Sequence, residues 1–164
     1  MKKFLWVAIA GFLAVHCAAD RPLIYGTNYD YDETVNFSGL VRYRWEPLPK
    51  TSVVDPLNVK RIKRVADDIL QSKGRIEVQN RPDFVIATLA VTSSRIDNTG
   101  GFDEYGLYKE GRLRLSFLDA ENGEILWWGE TRLRLQPGLQ PQEKDRRIFD
   151  AVAEILQHFP PSAS

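Results

Sequence analysis

The chain has 164 residues, 22 basic and 22 acidic, for a formal net charge of +0 at pH 7. That balance excludes general nucleic-acid binding, which needs an excess of phosphate-neutralising cations. With 43% hydrophobic residues and a single cysteine, the chain can close one core without internal disulfides.

Residues 1–16 read as a signal peptide. Lys2 and Lys3 precede an apolar run over residues 4–15, about a dozen residues, which suits a signal h-region and is too short for a membrane span. The run leads into LAVHC at residues 13–17, which resembles the lipobox of bacterial lipoproteins. The resemblance implies export, cleavage before Cys17, and a diacylglyceryl group with palmitate-type acyl chains on the Cys17 sulfur. His16 stands where lipoboxes carry Gly, Ala or Ser. The competing reading is cleavage after Ala19, with Cys17, Ala18 and Ala19 as a small-x-small site, releasing a soluble periplasmic protein that begins at Asp20. Ala18 differs from the aspartate that retains lipoproteins at the inner membrane, so the lipidated form is expected at the outer membrane, facing the periplasm. Residues 17–22 are then a tether, 23–161 one domain, and 162–164 a frayed tail.

Residues 23–31 set Leu23, Tyr25, Tyr29 and Tyr31 against Gly26, Asn28 and Asp30, the period of a first strand. A second strand is expected over 35–45, with Val35, Phe37, Val41, Tyr43 and Trp45 on one parity, and Pro47 and Pro49 ending it. Asp55 before Pro56 is a helix start, a capping carboxylate followed by proline at the first helical position. Ile62, Val65, Ala66, Ile69 and Leu70 then recur at spacings of three and four, while Lys60, Arg61, Lys63, Arg64, Asp67 and Asp68 read as the solvated face. Gly74 closes this helix in a left-handed conformation. A short strand at 75–78 and a turn at Pro82-Asp83 lead into residues 84–92, apolar on both parities, so this strand is expected near the sheet centre with both faces covered.

Residues 94–111 contain Gly100, Gly101, Gly106 and Gly111 interleaved with Phe102, Tyr105, Leu107 and Tyr108. A flexible segment carrying aromatic residues is where a rigid scaffold places binding; the competing reading is a hairpin loop whose aromatics cover the core edge. Residues 111–136 form a β-hairpin. Leu113, Leu115 and Phe117 share one face with Ile125, Trp127 and Leu133, and Arg112, Arg114 and Ser116 share the other with Glu130, Arg132 and Arg134. Asn122 and Gly123 supply the reversal. This register sets Arg114 opposite Glu130 as an attractive pair. Trp127 then belongs to the core, and Trp128 lies outward among Arg112, Arg114 and Arg132. A linker through Gly138 precedes a helix over 143–158, whose stripe is Ile148, Val152, Ile155 and Phe159 with Phe149 and Leu156 beside it. Glu143 and Asp145 sit at its positive end, and Pro160 and Pro161 stop it.

These elements predict a two-layer α+β domain: an antiparallel sheet of five or six strands with both helices on one face, in the order strand, strand, helix, four strands, helix. FSGLVRYRW at 37–45, DPL at 55–57, KG at 73–74, PDF at 82–84, GRL from residue 111 through Asp119, LWWG at 126–129 and FPP at 159–161 together resemble a family of small Gram-negative envelope lipoproteins catalogued only as a domain of unknown function. The likeness spans residues 35–161. Leu40 and Arg75 depart from it, standing where members often carry an aromatic. The resemblance implies an antiparallel sheet with two helices on one side and no established activity, so it transfers no catalytic residue.

The residues themselves offer little chemistry. His158 at a helix end reads as a charge partner for that terminus. Ser93 and Ser94 lack a nucleophile-elbow context. Asp97, Asp103 and Glu104 match no calcium loop. Asp119 with Glu121, or Glu124 with Glu130, could be proposed as glycosidase carboxylates, but Asp119 reads better as a turn residue and Glu130 as an ion partner. No cofactor or metal is expected. The candidate binding surface is Phe102, Tyr105, Tyr108, Trp128, Arg112, Arg114 and Arg132, an aromatic and arginine set able to stack a sugar or contact lipid phosphates; its bland counterpart is a sheet face with arginine stems lying over the rings. The sequence thus points to a non-enzymatic binding or envelope-assembly module. Its partners are the membrane, through the lipid, and an envelope protein or cell-surface glycan. The rival is a hydrolase or metal-dependent enzyme acting on envelope material, with residues 94–111 over its site.

Overall fold

The computed structural model describes residues 24–48, 55–97 and 106–161. The expected signal segment, Cys17 with the expected tether, residues 162–164, and Phe102, Asp103, Glu104 and Tyr105 lie outside them. Six strands and two helices follow in the expected order: β1 (Ile24–Tyr31), β2 (Arg42–Trp45), α1 (Pro56–Ser72), β3 (Ile76–Glu77), β4 (Phe84–Asp97), β5 (Gly106–Asp119), β6 (Ile125–Leu135) and α2 (Pro141–Leu156). They build one open sheet in the order β1-β6-β5-β4-β2-β3.

The sheet is mixed rather than wholly antiparallel. β1, β6, β5 and β4 pair antiparallel, whereas β2 runs parallel to both β3 and β4. The cause is α1. A tight turn can only reverse a strand, but the long helical connection after β2 carries the chain back to the starting end of the sheet, so the next strands run the same way.

Alternation decides which side receives the helices. Tyr43 and Trp45 of β2, Phe84 and Ile86 of β4, Leu113, Leu115 and Phe117 of β5, and Trp127 of β6 join Ile62, Val65, Ala66 and Leu70 of α1 and Val152, Ile155 and Leu156 of α2 in one core. Its centre is aromatic: Phe117 lies 4.5 Å from Phe159, 4.9 Å from Trp127 and 5.1 Å from Phe84, centroid to centroid. Such offset and edge contacts add to area burial, about 0.5–1.5 kcal/mol a pair. Arg75, where the resembling family often carries an aromatic, is buried and sets its guanidinium over the Phe159 ring at 5.7 Å while donating to the Phe37 carbonyl. Burial lowers its pKa from the ordinary arginine value.

Several sequence expectations are corrected. The second strand is only four residues, because Asn36 accepts hydrogen bonds from the Ser38 amide and hydroxyl and starts a 3-10 turn over Phe37–Gly39; such side-chain bonds compete with strand pairing. Residues 94–97 and 106–111 are not loop but the ends of β4 and β5, paired from Ser94↔Lys109 to Asp97↔Gly106. β4 is covered on one face only near its middle, and Leu89 is 51% exposed. In the hairpin, a register shift between Phe117 and Leu118 turns Leu126 inward and leaves Ile125 50% exposed. Phe149 of α2 also faces out.

Candidate functional site

Two surfaces could hold a ligand, and they lie on opposite sides of the sheet. The first is the helix-free face. The expected register is observed: Arg112↔Arg132, Arg114↔Glu130 and Ser116↔Trp128 are cross-strand partners. With β1 paired to β6, Asn28 and Asp30 continue these rows beside Glu130 and Trp128. Arg112, Arg114, Arg132 and Trp128, foreseen as one set, are therefore adjacent.

The pairing within the set differs from expectation. Arg114 stands opposite Glu130 but places its guanidinium over the Trp128 ring, 4.1 Å from the centroid, and donates Nε to the Ser116 hydroxyl. Glu130, 8% exposed, is held instead by Arg132 at 3.4 Å and Arg112 at 4.0 Å. One carboxylate between two arginines, with a third arginine over an indole beside it, leaves a cationic surface. Tyr108 lies at the far end, with Arg134 over its ring at 4.7 Å. Phe102 and Tyr105, the remaining members of the proposed surface, fall outside the described residues.

Of the carboxylates considered for glycoside cleavage, Asp119, Glu124 and Glu130 have structural partners. Asp119 accepts the backbone N–H groups of Glu121 and Asn122 at 2.8 and 3.0 Å, closing the turn in which Gly123 takes φ +76°. His158 stacks on Tyr29 of β1 at 4.3 Å. Among the described residues, no group of three or more His, Cys, Asp or Glu could hold a metal ion, and no helix is long and apolar enough to cross a membrane.

The second surface was not foreseen. A cavity of about 630 Å³ opens between the N-terminal halves of the two helices, the middle of β4 and β5, and the end of β6. Leu113, Leu133 and Leu135 form its floor, Ile62 and Ile148 its walls. Gly111 matters here: a Cβ on it would meet Leu135 Cδ2 at 2.9 Å, so the missing side chain lets Leu135 lie flat along the floor. Polar groups gather at the α2 side. Arg147, 5% exposed, donates to Gln136 Oε1 at 2.6 Å and Glu143 Oε1 at 3.3 Å, and its Nε is buried with no partner among the described residues. The signal was present in the sequence: Arg147 stands four residues before the buried Ala151, so a cation occupies the inward stripe of α2.

An open mixed sheet backed by two helices on one face defines a two-layer α+β domain. The chain belongs to the family described as Domain of unknown function (DUF4136), whose model matches residues 27–161. Among solved structures it is similar to a PDZ domain protein from Parabacteroides distasonis, at a TM-score of 0.56 and 14% identity over 87% of this chain. The chain spans only 37% of that protein. It is also similar to a PelC variant from Paraburkholderia phytofirmans, solved as a dodecamer, with a TM-score of 0.53, 12% identity and coverage of 80% of this chain and 93% of the other. No curated protein matches it.

Proposed function

We propose that this protein is a lipid-anchored module of the outer membrane, facing the periplasm, that binds a partner or helps assemble the envelope and performs no catalysis. The observation that carries the reading is the helix-free sheet face, where Arg112, Arg114 and Arg132 surround Trp128 and Glu130. An arginine surface on a rigid sheet suits an anionic partner, protein or glycan, since guanidinium groups pair bidentately with carboxylate and phosphate. Structural partners for Asp119 and Glu130 support a non-catalytic role. The dodecamer of the similar PelC fold supports assembly as one form that role takes. Lys2, Lys3, the apolar run and Cys17 support the anchor.

Photo-crosslinking in intact cells tests the reading. A benzoylphenylalanine placed at position 112 or 132 should give a discrete crosslinked product. One placed at Phe149, on the exposed side of α2, should not. Equal products from both faces, or none from the sheet face, would remove the binding surface. The intact mass of the mature protein tests the anchor: it should begin at Cys17 with acyl chains added, and a lipid-free mass beginning at Asp20 would leave a soluble periplasmic domain.

A further inference from the structure

We infer that the cavity between the helices and the sheet binds a single-chain amphiphile with an anionic headgroup, of the kind represented by a long-chain carboxylate or a lysophospholipid. The inference is independent of the sheet-face reading, because it uses the other side of the sheet.

Its volume of about 630 Å³ falls in the range, about 300–1,000 Å³, of sites that enclose small molecules. The lining is mainly apolar and suits an acyl chain: Leu113, Leu133 and Leu135 from the sheet face Ile62 and Ile148 from the helices, with Thr92, Asn58 and Gln136 as the uncharged polar residues among them. A cavity of this kind gains from hydrocarbon what it forfeits when its lining atoms have no neighbours.

The charge at its α2 side selects the headgroup. Three charged side chains reach the cavity from the helix side: Lys144, Arg147 and Asp55. Asp55 is committed to capping α1, accepting the Leu57 N–H at 2.9 Å. Glu143 and Gln136 occupy one terminal nitrogen of Arg147 and leave its buried Nε unpaired. A buried guanidinium N–H without an acceptor is destabilising, and an anionic oxygen would satisfy it. Lys144 lies one turn away on the same helix face, and its side chain makes no hydrogen bond or ion pair among the described residues. The positive end of α2 adds to both, since Gln140 makes no side-chain cap there.

The test uses the full chain purified in nanodiscs, exposed to a hexadecanoic acid bearing a diazirine or to the matching neutral alcohol, then photolysed and digested. Saturable labelling confined to the segments around Leu133 and Ile148 is expected. Unlabelled hexadecanoate and lysophosphatidylglycerol should compete, and the stronger competitor identifies the source. Ala90→Phe, which fills the floor, should cut labelling at least about tenfold. Lys144→Ala should cut labelling by the acid about tenfold and by the alcohol no more than about twofold. Labelling spread along the chain or confined to the leader, labelling that neither competitor reduces, or an Ala90→Phe variant labelled like the parent would overturn the inference. Should Ala90→Phe fail to fold, the Lys144→Ala comparison decides alone: acid and alcohol affected equally, or neither affected, overturns it.

Discussion

Asp67 accepts hydrogen bonds from the Tyr43 hydroxyl and the Trp45 indole N–H, each 2.8 Å long. One carboxylate of α1 thereby satisfies two donors of β2 that core packing has taken from water, and burial followed by this contact raises the Tyr43 pKa well above the ordinary phenol range. Asp67→Ala should lower unfolding free energy by about 2–3 kcal/mol, because both donors lose their acceptor, and Asp67→Asn by less, measured by urea titration of tryptophan fluorescence. Asp83 joins the same strand to the turn before β4. It accepts the Val41 and Arg42 amides and a two-nitrogen fork from the Arg42 guanidinium. The Arg42 side chain is the main reason its carboxyl is held below 3.8. A depressed carboxyl contributes stability that is present above 3.8 and is lost as pH falls through the lower folded value. The stability gap between the parent and Asp83→Asn should therefore be constant at neutral pH and shrink only in strong acid; a gap that closes between pH 7 and 5, on the order of the histidine range, would assign it to another group. The PDF motif was legible in the sequence, but its acceptor role was not, because Asp83 and Arg42 are far apart along the chain. Asp67 was misread as solvated for the same reason: helical spacing gives a residue's angle around the axis, not the height of the donors beneath it.

At the scale of elements, β6 meets α2 at Gly129, where a Cβ would stand 2.5 Å from Trp127 Cη2 and 2.7 Å from Ile155 Cγ2. Gly129→Ala should cost about 1–3 kcal/mol by forcing the indole or the helix outward, read as a fall in the thermal midpoint. Gly123→Ala should cost about 1–2 kcal/mol for a different reason, the left-handed φ of +76° that the β5–β6 turn requires. The helices and the hairpin were readable because their periodicities are local, as are their ends: Asp55 and Gly74 bracket α1 as expected. The register shift near Phe117 was not readable. Ile125 and Leu126 are both apolar, and which one turns inward is fixed by the turn closing through Asp119 and Glu124, not by the pattern.

Over the whole molecule, one sheet ties both helices to a shared core, but its two edges differ. β1 pairs with β6 over most of its length, whereas β3 is two exposed residues. Amide hydrogen exchange should accordingly be slowest across the middle of β4, β5 and β6 and fastest at β3; protection of β3 equal to that of β5 would contradict this distribution. By itself the sequence determined the α+β class, the order of elements, the positions of both helices, the hairpin register up to Phe117 and the adjacency of Arg112, Arg114, Arg132 and Trp128, since each follows from spacing along a continuous stretch. Only the tertiary structure decided that β2 runs parallel to its neighbours, that Glu130 pairs with Arg112 and Arg132 while Arg114 takes the indole, and that α1, α2 and three strands line a cavity bordered by Arg147. Those features depend on distances between segments remote in the chain, where several side chains compete for one partner and the geometry of the assembled layers selects among them.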